Sequence, residues 1–160
     1  MIDATHLIEA LKMDYTITVN WKAEKYIGLT INWDYENGKV HIHMLGYIEK
    51  TLTCFKHTKP NKVQNSPHPH KIAQYGAKIQ YADNKDDSLP LSVDEKKYIQ
   101  ALMGMLLYYG QAIDSMILPA LGSLASEQNI PTQKTMTKAK QLLDYCTSQE
   151  EAIVTKKQAR

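Results

Sequence analysis

Between Tyr26 and Trp33 the apolar side chains Ile27, Leu29, Ile31 and Trp33 alternate with Tyr26, Gly28, Thr30 and Asn32. A period of two is the mark of a strand that buries one face. Asn37-Gly38 follows, a pair that accepts positive φ and therefore favours a short hairpin turn. Beyond it Val40, Ile42 and Met44 form a second apolar face, with His41 and His43 opposite. The pattern predicts an antiparallel hairpin over Tyr26 to Met44, turning near Glu36 to Lys39. A helix entered through Gly46 and containing Tyr47 to Phe55 should follow at once.

Upstream, Leu7, Ile8 and Leu11 share one helical face within Thr5 to Lys12, and Tyr15, Ile17 and Val19 alternate as a short strand would. After Phe55 periodicity stops. Pro60, Pro67, Pro69 and Pro90, with Asn61, Asn65 and Ser66, mark an extended connector that has room for a short edge strand at Gln74 to Tyr81. From Ser92 the pattern is helical. Ser92-Val93-Asp94-Glu95 reads as a capping box, and Ile99, Leu102, Met103, Leu106 and Leu107 then share one face. Gly110 and Asp114 separate this helix from a second, with Leu118, Leu121, Leu124 and Ala125 inward. Pro119 belongs in its first turn, since a deeper position costs about 3 kcal/mol. Pro131-Thr132 opens a third helix with Met136, Ala139, Leu142, Leu143 and Cys146 inward. Helices stacked after a hairpin region predict an α+β fold.

At 160 residues the chain is one domain by size, able to bury roughly two-thirds of its unfolded surface. Its 43% hydrophobic and 22% charged content is ordinary for a soluble globular chain. The longest apolar run, Ala101 to Tyr109, is too short to cross a bilayer, so no membrane role is expected. Met1-Ile2-Asp3 opens no secretory signal. Cys54 and Cys146 fit free buried thiols in a reducing compartment, with a disulfide as the alternative. An intracellular protein is expected.

The net charge of +2 is too small to argue for nucleic acid by itself. Its distribution says more. Lys50, Lys56, Lys59, Lys62 and Lys71, with His57, His68 and His70, fall in a stretch that lacks any acidic residue. Such a stretch suits a polyanion, because each lysine near a phosphate releases condensed counterions. Charge alone favours the plainer reading, a solvated linker. Arg160 is the sole arginine. Base-edge readout favours the arginine fork over the lysine point charge, so sequence-specific DNA binding is disfavoured.

Several stretches resemble a known family. Tyr26-Ile27-Gly28, the hairpin, and Gly46-Tyr47-Ile48 with Leu52 and Phe55 are similar to the region after the catalytic motif of a reverse transcriptase. The closest likeness is to the copia type of LTR retrotransposon polyprotein. Tyr98 to Tyr109, YIQALMGMLLYY, and Lys140 to Tyr145, KQLLDY, resemble two later helices of that family. The resemblance runs from about Asp3 to Val154. It implies that residues 1–55 are the end of the palm, the primer-grip hairpin and the first thumb helix, and that 56–91 are a Pro/His/Lys-rich linker. Residues 92–155 become a helical thumb and connection segment, and 156–160 a tail. In that family a strand leading to ribonuclease H follows the position of Val154; Lys156-Lys157-Gln158-Ala159-Arg160 departs from it.

The resemblance further implies a fragment of an RNA-directed DNA polymerase that positions primer–template duplex and lacks the catalytic centre. Tyr26, Ile27, Gly28 and Thr30 would form the grip, and Tyr47, Lys50 and Lys56 would touch the duplex backbone. The rest of the polyprotein, palm and fingers on one side and ribonuclease H on the other, would be its other partner. The product would work in a cytoplasmic particle or the nucleus. Polymerase chemistry needs carboxylates converging on two metal ions. No cofactor is expected in this chain; magnesium would be bound by palm residues upstream of Met1. Tyr81-Ala82-Asp83-Asn84, with Asp86 and Asp87, mimics the family's Tyr-x-Asp-Asp turn, but its fourth residue is Asn and it follows the hairpin. Solvated loop aspartates are the better reading.

Other candidates have plainer explanations. His68-Pro69-His70 is an incomplete ligand set, better read as linker. His41 and His43 are either exposed strand residues or contacts to a template or primer backbone. Met103, Met105 and Tyr108-Tyr109 have the helical spacing of a core rather than of a stacking platform. Two alternatives to the polymerase fragment stand: a non-catalytic nucleic-acid or protein interaction module derived from such an element, and a truncated inactive remnant.

Overall fold

The computed structural model describes residues 2–69, 86–149 and 151–157. The Asn37-Gly38 signal organises the first half. Strand β2 (Leu29–Asp34) and strand β3 (Lys39–His43) pair antiparallel, with Ile31 opposite Ile42 and Trp33 opposite Val40. The turn covers Tyr35 to Gly38, one residue earlier than the sequence pattern places it. Gly38 takes a φ of 60°, and the Asp34 carboxylate accepts both the backbone and the side-chain N–H groups of Asn37. Helix α2 (Tyr47–Cys54) follows, entered through Gly46 at a φ of 72°. Only glycine adopts that left-handed backbone without penalty.

The strand predicted from Tyr26 to Trp33 is not continuous. Ile27 and Gly28 have φ of 49° and 80° and form a second tight turn. It connects a short strand β1 (Lys25–Tyr26) to β2, with Tyr26 opposite Leu29. Alternation could not reveal this, because Ile27 sits on the apolar parity and is β-branched, a type that disfavours positive φ. Residues 15–19 form no strand either; the chain there has no ladder partner among the described residues. The candidate edge strand at Gln74 to Tyr81 lies outside the described residues.

Helix α1 (Ile2–Asp14) contains the predicted segment and extends it at both ends. Helix α3 (Val93–Ala112) starts from the expected capping box: Ser92 accepts the Glu95 amide and Glu95 accepts the Ser92 amide. A 3-10 turn (Ser115–Ile117) capped by Asp114 leads into α4 (Leu118–Glu127), where Pro119 occupies the first turn. Helix α5 (Gln133–Ser148) has its own reciprocal cap, Thr132 with Thr135. The chain then returns to the sheet. Strand β4 (Val154–Lys157) pairs antiparallel with β3, setting Val154 opposite Ile42. Lys156 and Lys157, assigned from sequence to a tail, therefore close a sheet of order β1-β2-β3-β4. Thr155-Lys156-Lys157 has no apolar alternation of its own, and a partner over a hundred positions away is invisible to local patterns. Mixed helices and an antiparallel sheet make the fold α+β.

One core runs through α3, α4 and α5, takes in Ile48 of α2, and reaches the sheet through Met44 at the end of β3 and the half-buried Leu29, Ile42 and Val154. Ile99, Leu102, Leu106, Ile117, Leu142 and Leu143 are fully buried. Tyr145 and Ala120 join them, beyond the positions that helical spacing singles out. By contrast, α1 packs extensively against no other described element. Leu7 there is 59% exposed, and further along the chain Met13, Tyr15, Trp21, Tyr26 and Ile27 are exposed too, an apolar flank in sequence. Among the described residues no helix is long and apolar enough to cross a membrane.

The connector is not free chain. His57 Nε2 lies 2.8 Å from Asp144, the Gln64 amide donates to Ser148 Oγ at 3.1 Å, and Gln141 donates to the Ser66 carbonyl at 3.2 Å. Residues 57–66 are thus laid along α5.

These burial differences set a stability contrast. Leu142→Ala should cost about 2–5 kcal/mol in urea unfolding, since it empties a sealed site. Leu7→Ala should stay within about 0.5 kcal/mol of the parent. Equal losses would mean that α1 belongs to the core.

Candidate nucleic-acid interface

The four grip candidates lie at and beside the Ile27–Gly28 turn. Tyr26 and Ile27 are 63% and 65% exposed at its tip. Thr30 lies behind it, half-buried between Lys25 and His43 on the flanking strands. Left-handed backbone at a residue other than glycine costs roughly 1–2 kcal/mol, and Ile27 is held there from outside. The Tyr108 hydroxyl on α3 donates to the Ile27 carbonyl. The turn is therefore braced against the helical layer and presents its two exposed side chains away from the core.

The remaining candidates lie on α2 and divide into two kinds. Lys50 is exposed on the outer face of the helix, where Gly46, Glu49, Thr53 and Cys54 line a shallow groove of about 510 Å³. Lys56 is exposed just past the helix end, at a φ of 50°. Tyr47 faces the other way. Its ring stacks on Tyr109 at 5.8 Å and 5°, and its hydroxyl donates to the Met105 carbonyl at 2.8 Å. Burial, with the neighbouring Tyr108 second, raises its pKa. Tyr47 therefore fixes α2 to α3, and the outer face of α2 belongs to Lys50 and Glu49.

The other sequence candidates are mostly engaged. His43 is buried, against the expectation of an exposed polar face, and its Nε2 lies 3.0 Å from the Asn32 amide. His41 Nδ1 lies 2.8 Å from Thr155 Oγ1 on β4. His43 thus meets Asn32 within the hairpin itself, whereas His41 finds on β4 a neighbour that a two-stranded hairpin would not offer. Asp86 accepts hydroxyls from Thr132 and Ser88 and the Ser88 amide. These bonds hold its carboxyl down at about 2. His68 lies beside the Pro69 carbonyl, while His70 and Tyr81 to Asn84 lie outside the described residues. Among the described residues no cluster of histidine, cysteine and carboxylate could hold a metal ion.

One surface escaped the sequence reading. Trp33 and Tyr35 stack at 6.0 Å and 10° beside Lys39, Lys156 and Lys157. The signal present was the Trp-x-Tyr spacing, which puts both rings on one side of a strand as it enters a turn.

No family model, curated protein or solved structure matches the chain.

The two cysteines report on this geometry. Cys54 is exposed in the α2 groove, whereas burial, with Asp114 second, pushes the Cys146 thiol up to about 12. A thiol reagent at pH 8 should label Cys54 promptly and Cys146 only on unfolding, as peptide mapping would show. Prompt labelling of both would contradict the burial of α5. A second variant tests the brace. Tyr108→Phe should speed amide exchange across residues 25–31 while costing about 0.5–1.5 kcal/mol of global stability. Unchanged exchange there would mean that the turn holds itself.

Proposed function

We propose that the chain is a piece of a copia-type reverse transcriptase, spanning the end of the palm, the primer grip, the thumb and the connection. Its task is to position a primer–template duplex for an active site carried elsewhere in the polyprotein. The observation that supports this best is the braced Ile27–Gly28 turn, with two exposed side chains backed by Tyr108. Holding a primer end against a reacting centre needs a projecting feature fixed from behind, because small misplacements cost large factors in rate. The same α3 helix that braces the turn also fixes α2 through Tyr47 and Tyr109.

In this reading Lys50 and Lys56 neutralise duplex phosphates without reading bases. The docking of residues 57–66 along α5 recruits Lys59 and Lys62 too, since most of the ordering cost of that segment is already met. The exposed apolar flank from Leu7 to Ile27 would be buried against the remainder of the palm. Magnesium would be held by that remainder. The assembly would act inside the cell, in a cytoplasmic particle or the nucleus.

The same flank also favours a second reading, a non-catalytic module that docks on a protein partner. Salt dependence separates the two. A labelled primer–template duplex should bind weakly and without sequence preference, with a log–log salt slope of about 0.9 per phosphate contact on B-form duplex. Lys50→Ala and Lys56→Ala should each lower that slope by roughly one and weaken all duplexes alike. Bound duplex should slow the labelling of Cys54. No binding at low salt, or a flat slope, would remove the duplex role and leave the protein-docking module. The purified chain should incorporate no nucleotides with Mg²⁺ or Mn²⁺; template-dependent incorporation would overturn the proposed absence of a catalytic centre.

A further inference from the structure

A second surface lies at the far end of the sheet from the Ile27–Gly28 turn. There the register sets Trp33, Val40 and Lys156 side by side across three strands. By the strand period of two, this row shares its face with Ile31, Ile42 and Val154. Ile42 and Val154 pack on the helical core, but Trp33 remains 45% exposed, so the sheet overhangs the helices at this end. Tyr35 continues the overhang into the hairpin turn. One face of its ring lies against Trp33, and at 82% exposure the other is open to solvent.

The charges around these rings are one-sided. Lys39, Lys156 and Lys157 line the same groove at the sheet's end, of about 430 Å³. Lys156 does so from the face that carries Trp33, and Lys39 with Lys157, by the same period, from the opposite face. None of them forms an ion pair among the described residues. Lys39 and Lys157 are direct cross-strand partners. Like charges placed opposite one another on a sheet destabilise it, and an anion between them would remove that cost. The single carboxylate in the groove, Asp34, is the cross-strand partner of Lys39 on its other side, but forms no ion pair with that lysine. It is held by Asn37, whose side-chain and backbone hydrogen bonds are the main causes that lower its pKa, with Lys39 a smaller one.

From this juxtaposition we infer that the overhanging end of the sheet binds single-stranded nucleic acid, with bases stacking on Tyr35 and Trp33 and phosphates meeting Lys39, Lys156 and Lys157. Open aromatic faces beside unpaired lysines match the two requirements of a strand whose bases are free, namely a stacking platform and a positive track for the backbone. In a duplex the base faces are already covered by neighbouring pairs, so the rings would find nothing to stack on. An acidic peptide would satisfy the lysines but leave the flat ring faces without a matching partner. The inference is independent of the reverse transcriptase reading, because it involves neither the Ile27–Gly28 turn nor α2.

Titration of the full chain with a labelled oligothymidylate of about 12 nucleotides tests it. Binding should show a salt slope of about 0.7 per phosphate contact, and Lys156→Gln with Lys157→Gln should reduce it accordingly. Tyr35→Leu should weaken binding about 5- to 100-fold while Tyr35→Phe keeps it, since only the latter preserves a flat face. In a Trp21→Phe background Trp33 is the only tryptophan left of two, and its emission should be quenched on binding. Lys50→Ala with Lys56→Ala should leave single-strand affinity within about twofold, so this site and the proposed duplex surface fail separately. No binding at low salt, or Tyr35→Leu binding like the parent, would overturn the inference. So would polyglutamate competing as well as the oligonucleotide, which would assign the groove to an acidic peptide.

Discussion

Two neighbouring tyrosines in α3 hold the helical layer and the sheet together. Successive helix residues point about 100° apart, so Tyr108 and Tyr109 address different neighbours. Tyr109 points into the core, only 3% exposed, where it stacks on Tyr47 and accepts the Ala152 amide on its hydroxyl at 3.3 Å. Tyr108 stands at the edge and bonds the Ile27 carbonyl. One helical turn thereby contacts the turn between β1 and β2, the start of α2 and the chain leading into β4. Glu151 strengthens the same junction by accepting the Gly46 amide at 2.6 Å, at the left-handed residue that opens α2. With the phenol of Tyr109 buried, its pKa is raised mainly by desolvation, so it stays neutral and keeps its place in the network. Without these contacts the sheet would be tied to the bundle chiefly through Met44 and the half-buried Leu29, Ile42 and Val154.

The sequence made this arrangement legible in some places and not in others, for physical reasons. Local signals survived. Asn37-Gly38, the Ser92 capping box and the placement of Pro119 depend on backbone geometry within a few residues, and each has its counterpart in the structure. The inward positions of α3 and α5 were readable because their apolar spacing matches the helical period, except Leu107, which the spacing puts on the apolar face of α3 and the structure leaves 44% exposed at its edge. What failed was non-local. Strand β4 exists through its partner β3, and the Thr155 that meets His41 comes with it, where the pattern showed two strands. The Ile27–Gly28 turn failed for another reason: a brace from Tyr108, eighty-one positions away, sustains backbone that Ile27 would otherwise avoid. Of the candidate interface, the exposed positions of Lys50 and Lys56 were readable from charge and period. The inward direction of Tyr47 was not, because a tyrosine serves equally well as an anchor or a surface contact.

The connector shows the same asymmetry. Proline and asparagine correctly indicated the absence of regular structure, yet irregular is not the same as loose. His57 with Asp144 and three amide contacts from Gln64, Gln141 and Gln149 fasten it to α5. Asp86 secures the far end of the segment to Thr132, the residue that caps α5. That second attachment depends on pH with a definite sign. The Asp86 pKa is depressed, so its contribution is present above the ordinary carboxylate value of 3.8 and is lost as pH falls toward about 2.

The buried core and the exposed apolar and basic surfaces occupy different parts of the chain. Among the described residues, the buried apolar core lies between Met44 and Cys146. The surfaces with unspent chemistry lie outside it or on its rim: the apolar flank from Leu7 to Ile27, the stacked rings of Trp33 and Tyr35, and the lysines of β3 and β4. Side chains that bind a partner must stay accessible, so they cannot also contribute burial energy to the isolated fold. Substitutions on these surfaces should therefore change binding with little effect on folding, and core substitutions should do the reverse. The Ile27–Gly28 turn is the exception, because its exposed tip depends on a tyrosine in α3 for its shape. A change at Tyr108 would alter the shape of that tip without replacing either of its exposed side chains, and that dependence connects the helical layer to the sheet.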